Sequence, residues 1–130
     1  MSLLIGQYVY SVLANDPAVI RAFGTQIFAM VAREGAEAPY LIYTPGDVRA
    51  EWTKDGRSVE ESDVSITVVS KTLQMAEQYA HLVRGVMERV RVALPMTPVQ
   101  ECTMQGAQHE YDDDLGVFGV TCTYTFKEYE

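Results

Sequence analysis

The sequence predicts an α+β two-layer sandwich: a mostly antiparallel sheet of about four to five strands, with a long amphipathic helix on one face and an N-terminal helix. Three observations carry this. Leu73, Ala76, Ala80, Val83, Met87, Val90 and Leu94 recur at spacings of three and four, the stripe of a helix packed on a sheet. Phe118, Val120, Cys122, Tyr124 and Phe126 alternate with Gly119, Thr121, Thr123 and Thr125, a strand with one buried and one hydroxyl-rich face. Between these and the N-terminus, two β-prone runs flank an Asp-Gly pair, the preferred centre of a tight hairpin.

Taken in order, the N-terminal helices are expected over about 3–23. Leu4, Tyr8, Val12 and Leu3, Val9, Leu13 fall at helical spacing; Asn15-Asp16-Pro17 then supplies a stop, an N-cap and a first-turn proline for a second short helix ending at Phe23. After Gly24, the branched and aromatic run Gln26 to Ala32 reads as a strand. A long hairpin follows over about 39–70. Its first arm opens at Tyr40-Leu41-Ile42-Tyr43, its turn is a two-residue one at Asp55-Gly56, and its return arm sends Val64, Ile66 and Val68 one way and Ser65 and Thr67 the other. The amphipathic helix spans about 72–94, with Arg84 and Glu88 paired four residues apart on its outer face and Pro95 and Pro98 ending it. A C-terminal hairpin over about 99–127, with strands near 99–108 and 117–127, completes the chain.

At 130 residues the expectation is one domain, 1–130, able to bury roughly two-thirds of its unfolded surface without disulfides. A formal net charge of −8 argues against a duplex DNA binder, whose affinity rests on neutralising phosphates. The opening MSLLIGQYVYSVLAND has no basic n-region, and Gln7, Tyr8 and Tyr10 interrupt its apolar run, so neither a signal peptide nor a membrane anchor is expected. With Cys102 and Cys122 alone, there is no secreted-type disulfide framework, and synthesis in a reducing compartment fits best.

Consecutive acids Asp112, Asp113 and Asp114 raise a metal or acid/base site, but they lie between two strands and lead into Leu115-Gly116, the composition of a turn. Counted as a calcium loop from Asp112, the sixth and twelfth positions fall on Val117 and Thr123, which match neither the glycine nor the bidentate glutamate required. Cys102, His109, Cys122 and His81 lack the short paired spacings of a zinc site, and no metal or cofactor is expected. A turn centred at the aspartates would set Cys102 diagonal or opposite to Cys122, so a cross-strand disulfide is geometrically open, although two buried thiols are the expectation. His81 shares a helix face with Gln74, Gln78 and Arg84 and reads as solvent-exposed. No nucleophile elbow, Walker loop, dinucleotide fingerprint or zincin helix is present, and nothing points to catalysis. Trp52, the single tryptophan, sits beside the hairpin tip, open to packing on its own stem or to an interface.

Several stretches together carry a resemblance: SVLANDPAVIRAFG before a strand, APYLIYT, the Asp55-Gly56 hairpin, and DVSITVVSKTLQMAEQYAHLVRGVME before a terminal hairpin ending CTYTFKE. Over nearly its whole length the chain resembles the tail-completion or tail-terminator family of long-tailed bacteriophages and prophages. The resemblance implies a non-enzymatic virion protein made in the bacterial host cytoplasm and placed at the head-proximal end of the tail. It further implies a homo-oligomeric ring, with a hexamer as the order considered, contacting the tail tube protein and head-connector proteins. No catalytic residue is carried over. Physical reasoning adds a contact patch on the hairpin, Arg49, Trp52, Lys54 and Arg57, a basic and aromatic arm in an acidic protein. If the ring surrounds a DNA conduit, the acidic excess would keep the passing duplex from sticking. Two other classes stay open at this point: a small ligand-binding or interaction module without catalysis, and a metal-dependent hydrolase.

Overall fold

The computed structural model describes residues 2–52, 54, 56, 58–89 and 101–129. After a 3₁₀ turn at Ser2–Leu4, helix α1 spans Ile5–Ala14 and α2 spans Pro17–Phe23. Strand β1 covers Ile27–Ala29, β2 Tyr40–Trp52 and β3 Ser58–Ser70; α3 covers Leu73–Met87, and β4 (Glu101–Asp112) and β5 (Val117–Tyr129) close the fold. The sheet order is β1-β2-β3-β5-β4, with β1 parallel to β2 and every other neighbour antiparallel. The expected mostly antiparallel α+β architecture is therefore the observed one, with five strands and one parallel pair.

Local chemistry explains the helix boundaries. Asp16 Oδ1 accepts from the backbone N–H groups of Ala18 (2.9 Å) and Val19 (3.2 Å), Pro17 opens α2, and the Gly24 N–H donates to the Ile20 carbonyl at 2.7 Å. The buried stripe of α1 is Ile5, Tyr8, Val9 and Leu13. Leu3, expected on that stripe, is exposed instead because it lies in the preceding 3₁₀ turn. Thr72 caps α3 by accepting from the Met75 N–H at 3.2 Å, and Ala76, Ala80, Val83, Val86 and Met87 face the sheet. Leu73 is exposed at the first position of that helix, so the stripe begins one turn later than expected. The expected continuation through Val90 and Leu94, with its prolines, lies outside the described residues, as does the start of the next strand at Val99.

The helices cover the face carrying Val64, Ile66 and Val68 of β3 and Val120, Cys122, Tyr124 and Phe126 of β5, all buried. The opposite face carries the expected hydroxyls: Thr67 and Thr121 are 2.8 Å apart and Ser65 and Thr123 3.4 Å. Two expectations are corrected here. β1 stops at Ala29 rather than near Ala32: the Met30 N–H makes the last ladder bond, to Tyr43 O (2.9 Å), and the Val31 N–H then turns back to Ala29 O (2.7 Å), with Met30 at φ 65. The long hairpin is also no free arm, since β3 pairs with β5 from Val59 opposite Tyr129 to Ser70 opposite Phe118. The last described pair of the hairpin is Trp52 opposite Ser58; Gly56 has φ 84, and Asp55, half of the expected turn, lies outside the described residues.

The cysteines are also placed differently. The β4–β5 ladder begins at Asp112 opposite Val117, which sets Cys122 opposite Ala107, and a bulge that accommodates Gln105 between Met104 and Gly106 then sets Cys102 opposite Phe126. Four strand positions, about 13 Å, separate them along β5, well beyond the reach of a disulfide. Both are buried free thiols.

Candidate assembly surface

The two ends of the sheet differ in chemistry. At the hairpin end, Arg49 donates from Nη1 to Asp63 Oδ2 at 2.7 Å and from Nη2 to Asp63 Oδ1 at 3.1 Å and Glu61 Oε2 at 3.0 Å. Thr125 Oγ1 donates to Asp63 Oδ1 at 3.0 Å, and Lys127 Nζ lies 3.8 Å from Glu61 and 3.9 Å from Glu101. The result is a charge belt across β2, β3, β5 and β4. Its hydrogen bonds from Arg49, and secondarily from Thr125, hold the Asp63 carboxyl below its ordinary range against the opposing effect of burial. The two carboxylates raise the guanidinium further above its already high value. Because the pairs are half-exposed, their role is to fix the strands' register more than to add stability.

Of the four hairpin residues singled out from sequence, Arg49 is thus compensated within its own chain. Trp52 is 73% exposed. Lys54 is exposed, and Arg57 lies outside the described residues. The structure brings Trp52 and Lys54 to the same end of the sheet and commits Arg49 to the belt behind them.

The opposite end carries the aspartates, and they form the turn expected. Asp112 Oδ1 accepts from the N–H groups of Asp114 (2.9 Å) and Leu115 (3.2 Å), Gly116 N–H returns to Asp112 O at 2.8 Å, and Gly116 takes φ 65, where an L side chain is strained. What the sequence did not reveal is the cleft beside this turn. It encloses about 440 Å³ and is lined by Tyr40, Thr67, Val69, Glu110, Tyr111, Asp112, Asp113, Asp114, Val117 and Gly119. A second, more apolar cleft of about 510 Å³ lies between α1 and the β1–β2 edge, lined by Tyr10, Met30, Tyr43 and Pro45 among others. Neither has a contiguous sequence signal, since each draws on elements far apart in the chain.

Nucleophilic chemistry finds little to work with. Burial pushes the Cys102 thiol up to about 12, helped by the nearby Glu88 carboxylate, and burial likewise raises Cys122. Tyr124, fully buried, is raised by burial and then by the two thiols, far from any ionisation near neutrality. His109 Nε2 stands 3.0 Å from Glu77 Oε2 across the groove between α3 and β4, whereas His81 is exposed as expected. Among the described residues, no three His, Cys, Asp or Glu side chains are grouped to hold a metal ion.

A family model described as "Tail completion protein gp17" matches residues 7–128. The chain belongs to the tail completion protein gp17 family. Membership makes it a structural, non-enzymatic component of a phage-like virion tail, as the sequence resemblance implied. Among solved structures, a chain of the "Virion of native gene transfer agent (GTA) particle" superposes with a TM-score of 0.79, covering 95% of this chain and 93% of that one at 17% identity. That likeness establishes a shared fold. Comparison with curated proteins returned no match. Among the described residues of this tail completion protein, no helix is long and apolar enough to cross a membrane.

Proposed function

We propose that this tail completion protein closes the head-proximal end of the tail as a homo-oligomeric ring, with six subunits as the order considered, and presents that ring to the tail tube on one side and the head connector on the other. The observation that carries the reading is the family match across residues 7–128. The architecture supports it: among the described residues β4 pairs with β5 alone, and β1 covers β2 from Leu41 to Tyr43, so the sheet offers subunits two edges beyond its own ladder. The test is deletion of the gene from its phage or prophage, with electron microscopy of the lysate. Expected are full heads and separate tails, rejoined when the wild-type gene is supplied in trans. Intact infectious particles from the deletion would overturn the reading.

A further inference from the structure

We propose that the cleft at the β4–β5 turn receives the hairpin end of a second copy of this chain, Trp52 against Tyr40 and Tyr111 and Lys54 against Glu110, Asp113 and Asp114. The inference rests on the self-assembly part of the reading above and names the surfaces that would meet.

Charge complementarity is the first argument. Among the described residues no Lys or Arg lines the cleft, and the carboxylates of Glu110, Asp113 and Asp114 make no ion pair with any of them. Arg49, Arg84, Arg89 and Lys127 are each within 4 Å of a carboxylate of their own chain, whereas Arg21, Arg33, Lys71 and Lys54 pair with no described carboxylate, and of these Lys54 is the one beside the indole. Lys54 is exposed, makes no ion pair with a described residue, and stands two positions from the most exposed aromatic ring of the hairpin. An unpaired cation beside an exposed indole matches an unpaired acidic rim beside two phenol rings.

The second argument is geometric. Tyr40 and Trp52 stand at the two ends of β2, about 40 Å apart at the rise of an extended strand, so the hairpin end cannot fold back into its own cleft. The contact must be made in trans and between unlike surfaces, the arrangement that propagates from subunit to subunit and closes into a ring when the rotation allows.

The experiment is absolute mass by light scattering across a wide concentration range, with far-UV circular dichroism to confirm folding. Four chains are compared: wild type, K54E, D113K/D114K, and the combined charge swap. Asp112 and Gly116, which build the turn, are left untouched. Each one-sided variant is expected to need about ten-fold higher concentration to associate, because reversing an exposed pair turns a weak attraction into a weak repulsion. The combined swap is expected to return association close to wild type. One-sided variants that associate like wild type, or a combined variant no better than its parents, would overturn the contact. So would a wild type that stays monomeric to about 1 mM, weaker than any useful self-affinity. One-sided variants that self-associate normally yet fail to enter particles would assign the cleft to another virion protein and overturn it as well. The deletion experiment is independent of all these outcomes, so a failed contact and a failed tail-closing role are told apart.

Discussion

Replacing Tyr124 by phenylalanine should stabilise the fold, against the usual direction of core mutations. The ring is fully buried under α3, and its hydroxyl has no oxygen or nitrogen partner among the described residues. The Cys122 thiol, two residues away on the same strand face, is its neighbour, a weak hydrogen-bonding group. A buried hydroxyl without a good partner costs about 1–3 kcal/mol, of which a thiol contact returns only part. Removing the oxygen leaves the ring in place and opens at most a very small void. We expect Tyr124→Phe to raise stability by about 1 kcal/mol, a rise in Tm of a few degrees for a chain of this size. Urea unfolding followed by circular dichroism reads this directly, with an unchanged m-value as the check that the unfolded state is unaltered. Loss of 1 kcal/mol or more would refute the reasoning and show that the hydroxyl has a strong partner. A double-mutant cycle with Cys122→Ala would then locate it, since a coupling well above about 0.5 kcal/mol would make the thiol that partner.

Three further outcomes follow from the same geometry. Stability should fall on the alkaline side: a thiol whose folded pKa is raised is at full advantage below its unfolded value near 8.5 and loses it as pH rises toward the folded value of about 12, at about 1.4 kcal/mol per unit. Cys102→Ala should flatten that limb in a pH series of chemical denaturations; an unchanged slope would mean Cys102 is accessible. Asp16→Ala should cost about 1–2 kcal/mol, because it removes the cap of α2 and also the partner of Arg89 at 3.2 Å, and a loss below a few tenths in urea unfolding would contradict the cap. Met30→Gly should be neutral or stabilising by up to about 1 kcal/mol, since a non-glycine residue at φ 65 is strained there; clear destabilisation would show that the Met30 side chain packs more than its exposure suggests.

What the sequence disclosed was whatever local chemistry dictates. Asp16-Pro17 and Gly24 bound α2 because a cap, a fixed φ and a positive-φ terminus act within a few residues. The β5 alternation and the α3 stripe were readable because burial imposes a period. The misread features turn on geometry that residue types do not announce. β1 ends early because the chain turns at Met30, where the Val31 N–H bonds back to Ala29 O, and the cysteines miss each other because the β4–β5 ladder, starting at Asp112 opposite Val117, sets Cys122 opposite Ala107 and Cys102 opposite Phe126. Arg49 is the most instructive case. A turn centred on Asp55-Gly56 would set Arg49 opposite Ser62, whereas the ladder sets it opposite Glu61, and one residue of register decides which side chains share its face. The cation that looked available for a neighbour is therefore held at home by Glu61 and Asp63. The aspartate turn was legible, but not the cleft beside it, because Tyr40 reaches Tyr111 only through the pairing of β2 with β3, β3 with β5 and β5 with β4.

If the hairpin end does meet that cleft, magnitudes decide which of its two residues holds it there. An exposed ion pair between Lys54 and the aspartates contributes at most about 1 kcal/mol and is screened by salt. Burying an indole removes roughly 200 Å² of largely apolar surface from water, about 4–5 kcal/mol before the costs of association. Subunits of net charge −8 also repel one another, and salt screens that repulsion along with the local attraction. Trp52 must then carry the affinity and Lys54 the choice of orientation. Trp52→Ala should raise the concentration needed for association by about a hundredfold or more, in line with buried aromatic anchors elsewhere. Lys54→Met should raise it less than about ten-fold, with only a shallow dependence on ionic strength. The reverse order of effects, measured by light scattering on both variants at two salt concentrations, would mean that charge rather than the indole joins the subunits, and the weighting argued here would be wrong.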